Sequence, residues 1–258
     1  MATLKTFAIL LAVGYAGICA YLFFVQRSMI YFPTPVVHST DAVRLDVDTG
    51  EATIRLWRVG AVESRAILYF GGNAEEVSKN AREFATAFPD HTIYLVNYRG
   101  YGGSSGSPSE QGLYHDALFL YDQLDGTHES VAVIGRSLGS GVATKLATER
   151  DIAWLVLVTP FDSISRVAQG HFRWLPVSLL IKDRFDSHGR AARITAPTLV
   201  LAASNDEIIP RRHTEALIEA ITQAPLTVVE LKGTSHNTVS DTPDYLAAIR
   251  QFIQFADQ

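Results

Sequence analysis

Residues 130–141 read SVAVIGRSLGSG. An apolar run, residues 131–134, stops at Gly135; Arg136, Ser137, Leu138 and Gly139 follow. Gly-x-Ser-x-Gly is the pattern of a nucleophile elbow, in which a strand turns sharply into a helix and lifts a serine hydroxyl above a sheet. The glycines answer a steric demand. The serine backbone is strained, and a side chain two residues either way would meet the adjoining strand or helix. Residues 141–149 form a helix-favouring run after the turn. The stretch therefore reads strand, tight turn, helix, with Ser137 at the apex.

Working outward, the same alternation recurs. Two half-polar runs, residues 43–47 and 52–57, read as an antiparallel pair turned by Asp48-Thr49-Gly50. Continuous apolar runs at residues 66–70, 92–96, 154–159, 198–203 and 226–231 read as buried strands. Helical spacing appears at residues 75–88, 111–124, 214–223 and 243–255. Buried strands alternating with helices give an α/β fold, a mostly parallel sheet covered on both faces. At 258 residues and 47% apolar, the chain is long enough to build one such domain with appendages.

One segment breaks the alternation. Residues 161–195 separate two strands and carry Phe161, Phe172, Trp174, Leu175 and further apolar side chains. That is too long for a simple crossover and too apolar for a solvated loop. It reads as a small helical lid, with Phe161, Phe172, Trp174 and Leu175 as candidate pocket residues.

The N-terminus carries a separate signal. No residue from Thr6 to Val25 is charged, and about twenty apolar residues span a bilayer core as a helix. Lys5 and Arg27 close the ends. A cleaved signal peptide is the rival, but Gly17-x-Cys19 is its best cleavage site, and apolar residues continue past it. The reading is a single-pass membrane anchor over residues 1–28 and a catalytic domain over 29–258. Lys5 and the amino group against Arg27 lean towards a cytoplasmic N-terminus. Residues 26–38, with Pro33 and Pro35, are expected to be an extended linker.

Composition excludes several classes. A net charge of −5 with no basic stripe argues against a nucleic-acid partner. A single cysteine, Cys19, allows no internal disulfide and offers no cluster for structural zinc. Neither a metal nor an organic cofactor is expected.

A serine hydroxyl needs a base and an orienting partner to act as a nucleophile. Asp206 follows the strand at 198–203, and His236 follows the strand at 226–231. Catalytic groups of open parallel sheets gather at such strand ends. Ser137, Asp206 and His236 are therefore the candidate catalytic residues, with Asp162, after the preceding strand, the rival acid. An oxyanion hole needs backbone amides aimed at the developing charge. Leu138, directly after the serine, and Asn73, in the Gly71-Gly72-Asn73-Ala74 loop, are the candidates. Arg99 is read as structural.

The Gly72-Asn73-Ala74 turn, the NYRGYGGSSG run at residues 97–106, Pro108-Ser109-Glu110, the elbow, NDEIIP at residues 205–210 and Ser235-His236-Asn237 occur in order. Together these motifs resemble serine α/β-hydrolases with one N-terminal membrane anchor, close to the depalmitoylase and esterase types. The resemblance spans residues 29–255 and implies an α/β-hydrolase fold and cleavage of an acyl ester or thioester through an acyl-enzyme. Peptide-bond cleavage by the same triad, or an inactive fold serving as a membrane-tethered binding module, are the alternatives. Gly71 departs from the family's pattern, which usually has His there. The apolar lid beside a membrane suggests a lipid-like or long-chain acyl substrate.

Overall fold

The structure, a computed structural model, describes residues 2–256. Its centre is an eight-stranded sheet: β1 (Val43–Asp48), β2 (Thr53–Val59), β3 (Arg65–Phe70), β4 (Thr92–Val96), β5 (Ser130–Arg136), β6 (Leu155–Val158), β7 (Thr198–Asn205) and β8 (Leu226–Ser235). The spatial order is β1-β2-β4-β3-β5-β6-β7-β8. The first two strands pair antiparallel, as does β2 with β4; every later pairing is parallel.

The helices are α1 (Ala2–Ile30), α2 (Ala81–Ala87), α3 (Glu110–Asp125), α4 (Leu138–Ala147), α5 (Ile164–His171), α6 (Val177–Leu180), α7 (His188–Ala191), α8 (Arg211–Ala220) and α9 (Pro243–Ala256). The central strands are buried on both sides, so their residues divide alternately between two cores. Ala66, Leu68 and Phe70 face α3, α4 and α8, through Leu113, Val142 and Leu217 among others. Ile67 and Tyr69 face α2 and α9, through Phe84 and Ile249. That division accounts for strand sequences that are apolar at every position.

Three local outcomes differ from the sequence reading. The expected helix at 75–88 is split into a 3₁₀ turn, Val77–Asn80, and α2. Glu76 takes the Ser78 amide on its side chain, and this short-range bond starts the turn. The helix after the elbow begins at Leu138, because the turn itself is the helix N-cap. The expected linker is shorter than read. α1 runs on to Ile30, with Tyr31 still donating its amide to the Arg27 carbonyl; no proline intervenes before Pro33. Residues 161–195 hold α5, α6 and α7.

Candidate active site

The elbow is built as a clash-limited joint. Ser137 has φ 48° and ψ −113°, a left-handed conformation that costs on the order of 1–3 kcal/mol for a non-glycine residue. Its amide donates to Val158 O at 2.9 Å, and its carbonyl accepts from the Ser140 amide at 2.8 Å and the Ser140 hydroxyl at 2.6 Å. These bonds hold the turn closed. A Cβ on Gly139 would lie 2.0 Å from Phe70 O, and one on Gly135 2.4 Å from Gly139 O. Both glycines are thus required by backbone approach.

Two loops from other strand ends meet this serine. After β8, His236 turns its Nε2 to Ser137 Oγ at 2.8 Å. Its Nδ1 lies 2.8 Å from Asp206 Oδ2, beyond the end of β7. A carboxylate oxygen accepts, so Nδ1 carries the hydrogen and Nε2 is left to accept from the serine hydroxyl. The other Asp206 oxygen takes the amides of Ile208 and Ile209 at 3.0 and 2.7 Å, which fixes the carboxylate plane. The His236 and Asp206 side chains are both 7% exposed. Asp162, the rival acid, sits elsewhere: its carboxylate holds His213 Nδ1 at 2.8 Å and the Ser163 amide at 2.6 Å.

The third loop follows β3. Asn73 and Leu138 both border the cavity at Ser137, and among the described residues neither backbone amide is consumed by a hydrogen bond. A Cβ on Gly72 would lie 3.8 Å from Ser137 Cβ, which measures how closely this loop approaches the nucleophile. At Gly71, no larger side chain fits: its Cβ would meet Val77 Cγ1 at 2.6 Å.

The bracing of this loop comes from Glu75 and Arg136, to which the sequence reading gave no role, and from tyrosines that include two of the 97–106 run. Glu75 accepts from the Gly72 amide at 2.6 Å, the Tyr69 hydroxyl at 2.7 Å and Asn80 Nδ2 at 2.7 Å. Arg136 reaches Glu75 at 3.4 Å and also donates to the Asn237 carbonyl at 3.2 Å, so it ties the loop to the His236 turn. Burial alone would pull the Arg136 guanidinium down, but Glu75, Tyr69 and Tyr245 outweigh it and hold its pKa up. The Tyr98 hydroxyl donates to Gly71 O at 2.7 Å, and that of Tyr101 to Asn73 Oδ1 at 2.8 Å. Burial pushes the Tyr69 and Tyr98 phenols well up and Tyr101 to about 12, so all three remain donors near neutral pH. A signal existed: Glu75 directly follows the Gly-Asn-Ala turn, and Arg136 is the elbow's first variable residue. Arg99 is structural. It is buried against Asp116 in a bidentate pair at 2.7 and 2.8 Å.

The cavity in front of Ser137 has a volume of about 720 Å³. Phe161, Phe172 and Leu175 line it; Trp174 does not. Trp174 is 58% exposed and turned to α1, where its carbonyl accepts from the Tyr15 hydroxyl at 2.8 Å. Among the described residues no cluster of His, Cys, Asp or Glu could hold a metal ion. α1 is apolar and long enough to cross a membrane.

No protein-family model matches the chain. An uncharacterised protein of Mycobacterium tuberculosis is 35% identical over 256 residues, covering 92% of this chain and 90% of that protein. Human alpha/beta hydrolase domain-containing protein 17B is 32% identical over 165 residues, 62% of this chain. The match spans 56% of the human protein's length. Among solved structures, an esterase of Pyrococcus furiosus superposes with a TM-score of 0.68 at 14% identity, covering 87% of this chain and 98% of that one. Parallel sheet, elbow and sequence likeness coincide: this chain belongs to the α/β-hydrolase family.

Proposed function

We propose that the protein is a membrane-anchored serine hydrolase of acyl esters or thioesters. Ser137 Oγ attacks the acyl carbonyl while His236 Nε2 takes its proton, and Asp206 stabilises the resulting imidazolium. The amides of Asn73 and Leu138 receive the oxyanion. His236 returns the proton to the departing alkoxide or thiolate, leaving an acyl-enzyme. A water, deprotonated by His236, then releases the acid and regenerates Ser137. α1 is an uncleaved anchor in this reading. Its support is the charge-free stretch between Lys5 and Arg27 and the packing of the same helix against the lid.

The observation that carries the proposal is the row Asp206–His236–Ser137, two 2.8 Å contacts ending at the cavity beneath two uncommitted amides. Full-length protein reacted with a fluorophosphonate probe should be labelled once, and Ser137→Ala should abolish labelling and lower ester turnover by about 10³-fold or more. Equal labelling of wild type and Ser137→Ala would falsify the assignment. Faster cleavage of peptide amides than of thioesters would replace acyl hydrolysis with peptidase chemistry. An unlabelled wild type would leave a binding module.

A further inference from the structure

The cavity before Ser137 is not closed by the hydrolase core alone. Leu22, Gln26, Met29 and Ile30 of α1 form one of its walls, opposite lid residues such as Leu175 and Ile181. The spacing i, i+4, i+7, i+8 places these four on a single helix stripe. Phe24, on the opposite side of the helix, is 77% exposed.

The wall is fastened. Gln26 Nε2 donates to Leu180 O at 3.0 Å, and its Oε1 accepts from the Lys182 amide at 2.6 Å. Arg27 holds Asp183 in a bidentate pair at 2.9 and 3.2 Å, and the Asp183 side chain is only 3% exposed. At the catalytic end, Asn73 Nδ2 donates to Ile30 O at 2.6 Å, and Asn73 Oδ1 accepts from the Phe32 amide at 3.0 Å. The helix is therefore pinned to the lid and to the loop carrying the Asn73 amide.

Resting on the acyl-hydrolase reading, we infer that α1 is a substrate-binding element: its Leu22–Ile30 stripe is the wall against which a long aliphatic acyl chain lies. Three observations favour a chain over a polar ligand. Leu22, Met29 and Ile30 are apolar. Gln26, the polar member of the stripe, already has its amide oxygen and its nitrogen engaged by backbone groups and by Phe23 O. A cavity of about 720 Å³ exceeds what an acetyl group fills and lies inside the roughly 300–1,000 Å³ range of small-molecule sites. The stripe straddles Arg27, where the charge-free run ends, so the chain would lie at the boundary of the bilayer rather than in water.

The test uses full-length protein in phosphatidylcholine vesicles, with butyryl and palmitoyl thioesters of one leaving group. Leu22→Trp fills the wall, and Phe24→Trp makes the same change on the outer side. The palmitoyl-to-butyryl ratio of kcat/KM should fall at least tenfold in Leu22→Trp and change less than twofold in Phe24→Trp. Met29→Trp, at a half-exposed position that tolerates bulk, should repeat the fall if Leu22→Trp does not fold. Equal ratios in the lining and outer variants overturn the role of α1 while leaving the hydrolase reading standing. A wild type that cleaves neither thioester defeats that reading and this inference together.

Discussion

Glu75 offers the sharpest test of how the oxyanion loop is held. Its carboxylate is the common acceptor for the Gly72 amide, the Tyr69 hydroxyl, the Asn80 amide and the Arg136 guanidinium, and its side chain is 12% exposed. Glu75→Ala removes all four partners at once. A buried donor left unpaired costs about 1–3 kcal/mol. Arg136 borders the cavity and the Asn80 side chain is half-buried, so both can turn to water, whereas the Tyr69 hydroxyl and the Gly72 amide are buried and cannot. Two stranded donors cost about 2–6 kcal/mol. In a domain of this size 1 kcal/mol moves Tm by roughly 2–4 °C, so a fall of roughly 10 °C is expected. Gly72 precedes Asn73, whose amide is the proposed oxyanion donor. Losing one such donor costs about 10²–10³ in kcat. A displaced rather than deleted donor should cost about 30–100-fold, with KM within about threefold. Glu75→Gln keeps the shape and one acceptor oxygen for Gly72, while the Tyr69 hydroxyl and the Asn80 amide can both reorient. It should recover most of kcat. Thermal denaturation and thioester kinetics on the three proteins decide the matter. If Glu75→Ala retains wild-type kcat and melts within about 2 °C of wild type, the loop is held by something else.

Two further outcomes follow from the same geometry. Gly139→Ala sets a methyl group 2.0 Å from Phe70 O, a backbone atom that cannot swing aside; the denaturant midpoint should fall by the equivalent of about 3 kcal/mol, and an unchanged midpoint would contradict the elbow packing. In alkali, the raised phenols of Tyr69, Tyr98 and Tyr101 contribute stability that is complete below about pH 10, the unfolded value, and is lost as pH rises towards the folded values, about 12 for Tyr101; absorbance at 295 nm should show these tyrosines ionising together with unfolding, and independent ionisation near pH 10 in the folded protein would count against their burial.

The strands were legible in the sequence because their signal is local. Residues 92–96 carry no polar interruption except Thr92, and the sheet buries them on both sides. Ser137, Asp206 and His236 could be placed on one sheet edge because each follows a recognisable strand. What escaped was set by distant partners. Nothing near Gln26 announces a carbonyl 154 residues away, yet that bond ties the start of the expected linker to the lid. Trp174 reads as pocket lining from composition, but its backbone carbonyl is taken by Tyr15, which leaves the ring at the lid surface. The end of β8 is half polar, LKGTS, and is strand only because β7 pairs alongside it as far as Ser235. Glu75 looked like an ordinary helix-start acid until the tertiary fold brought Tyr69, Asn80 and Arg136 around it.

The fastening of α1 to residues 180–183 has a chronological consequence. The helix leaves the ribosome about 150 residues before its lid partners do, which at 5–20 residues per second is roughly 10–30 s. On the proposed reading of α1 as an anchor, the helix enters the bilayer within that interval. The rest of the domain then matures against a helix already in place, and the wall that α1 lends to the cavity is made before Ser137 is.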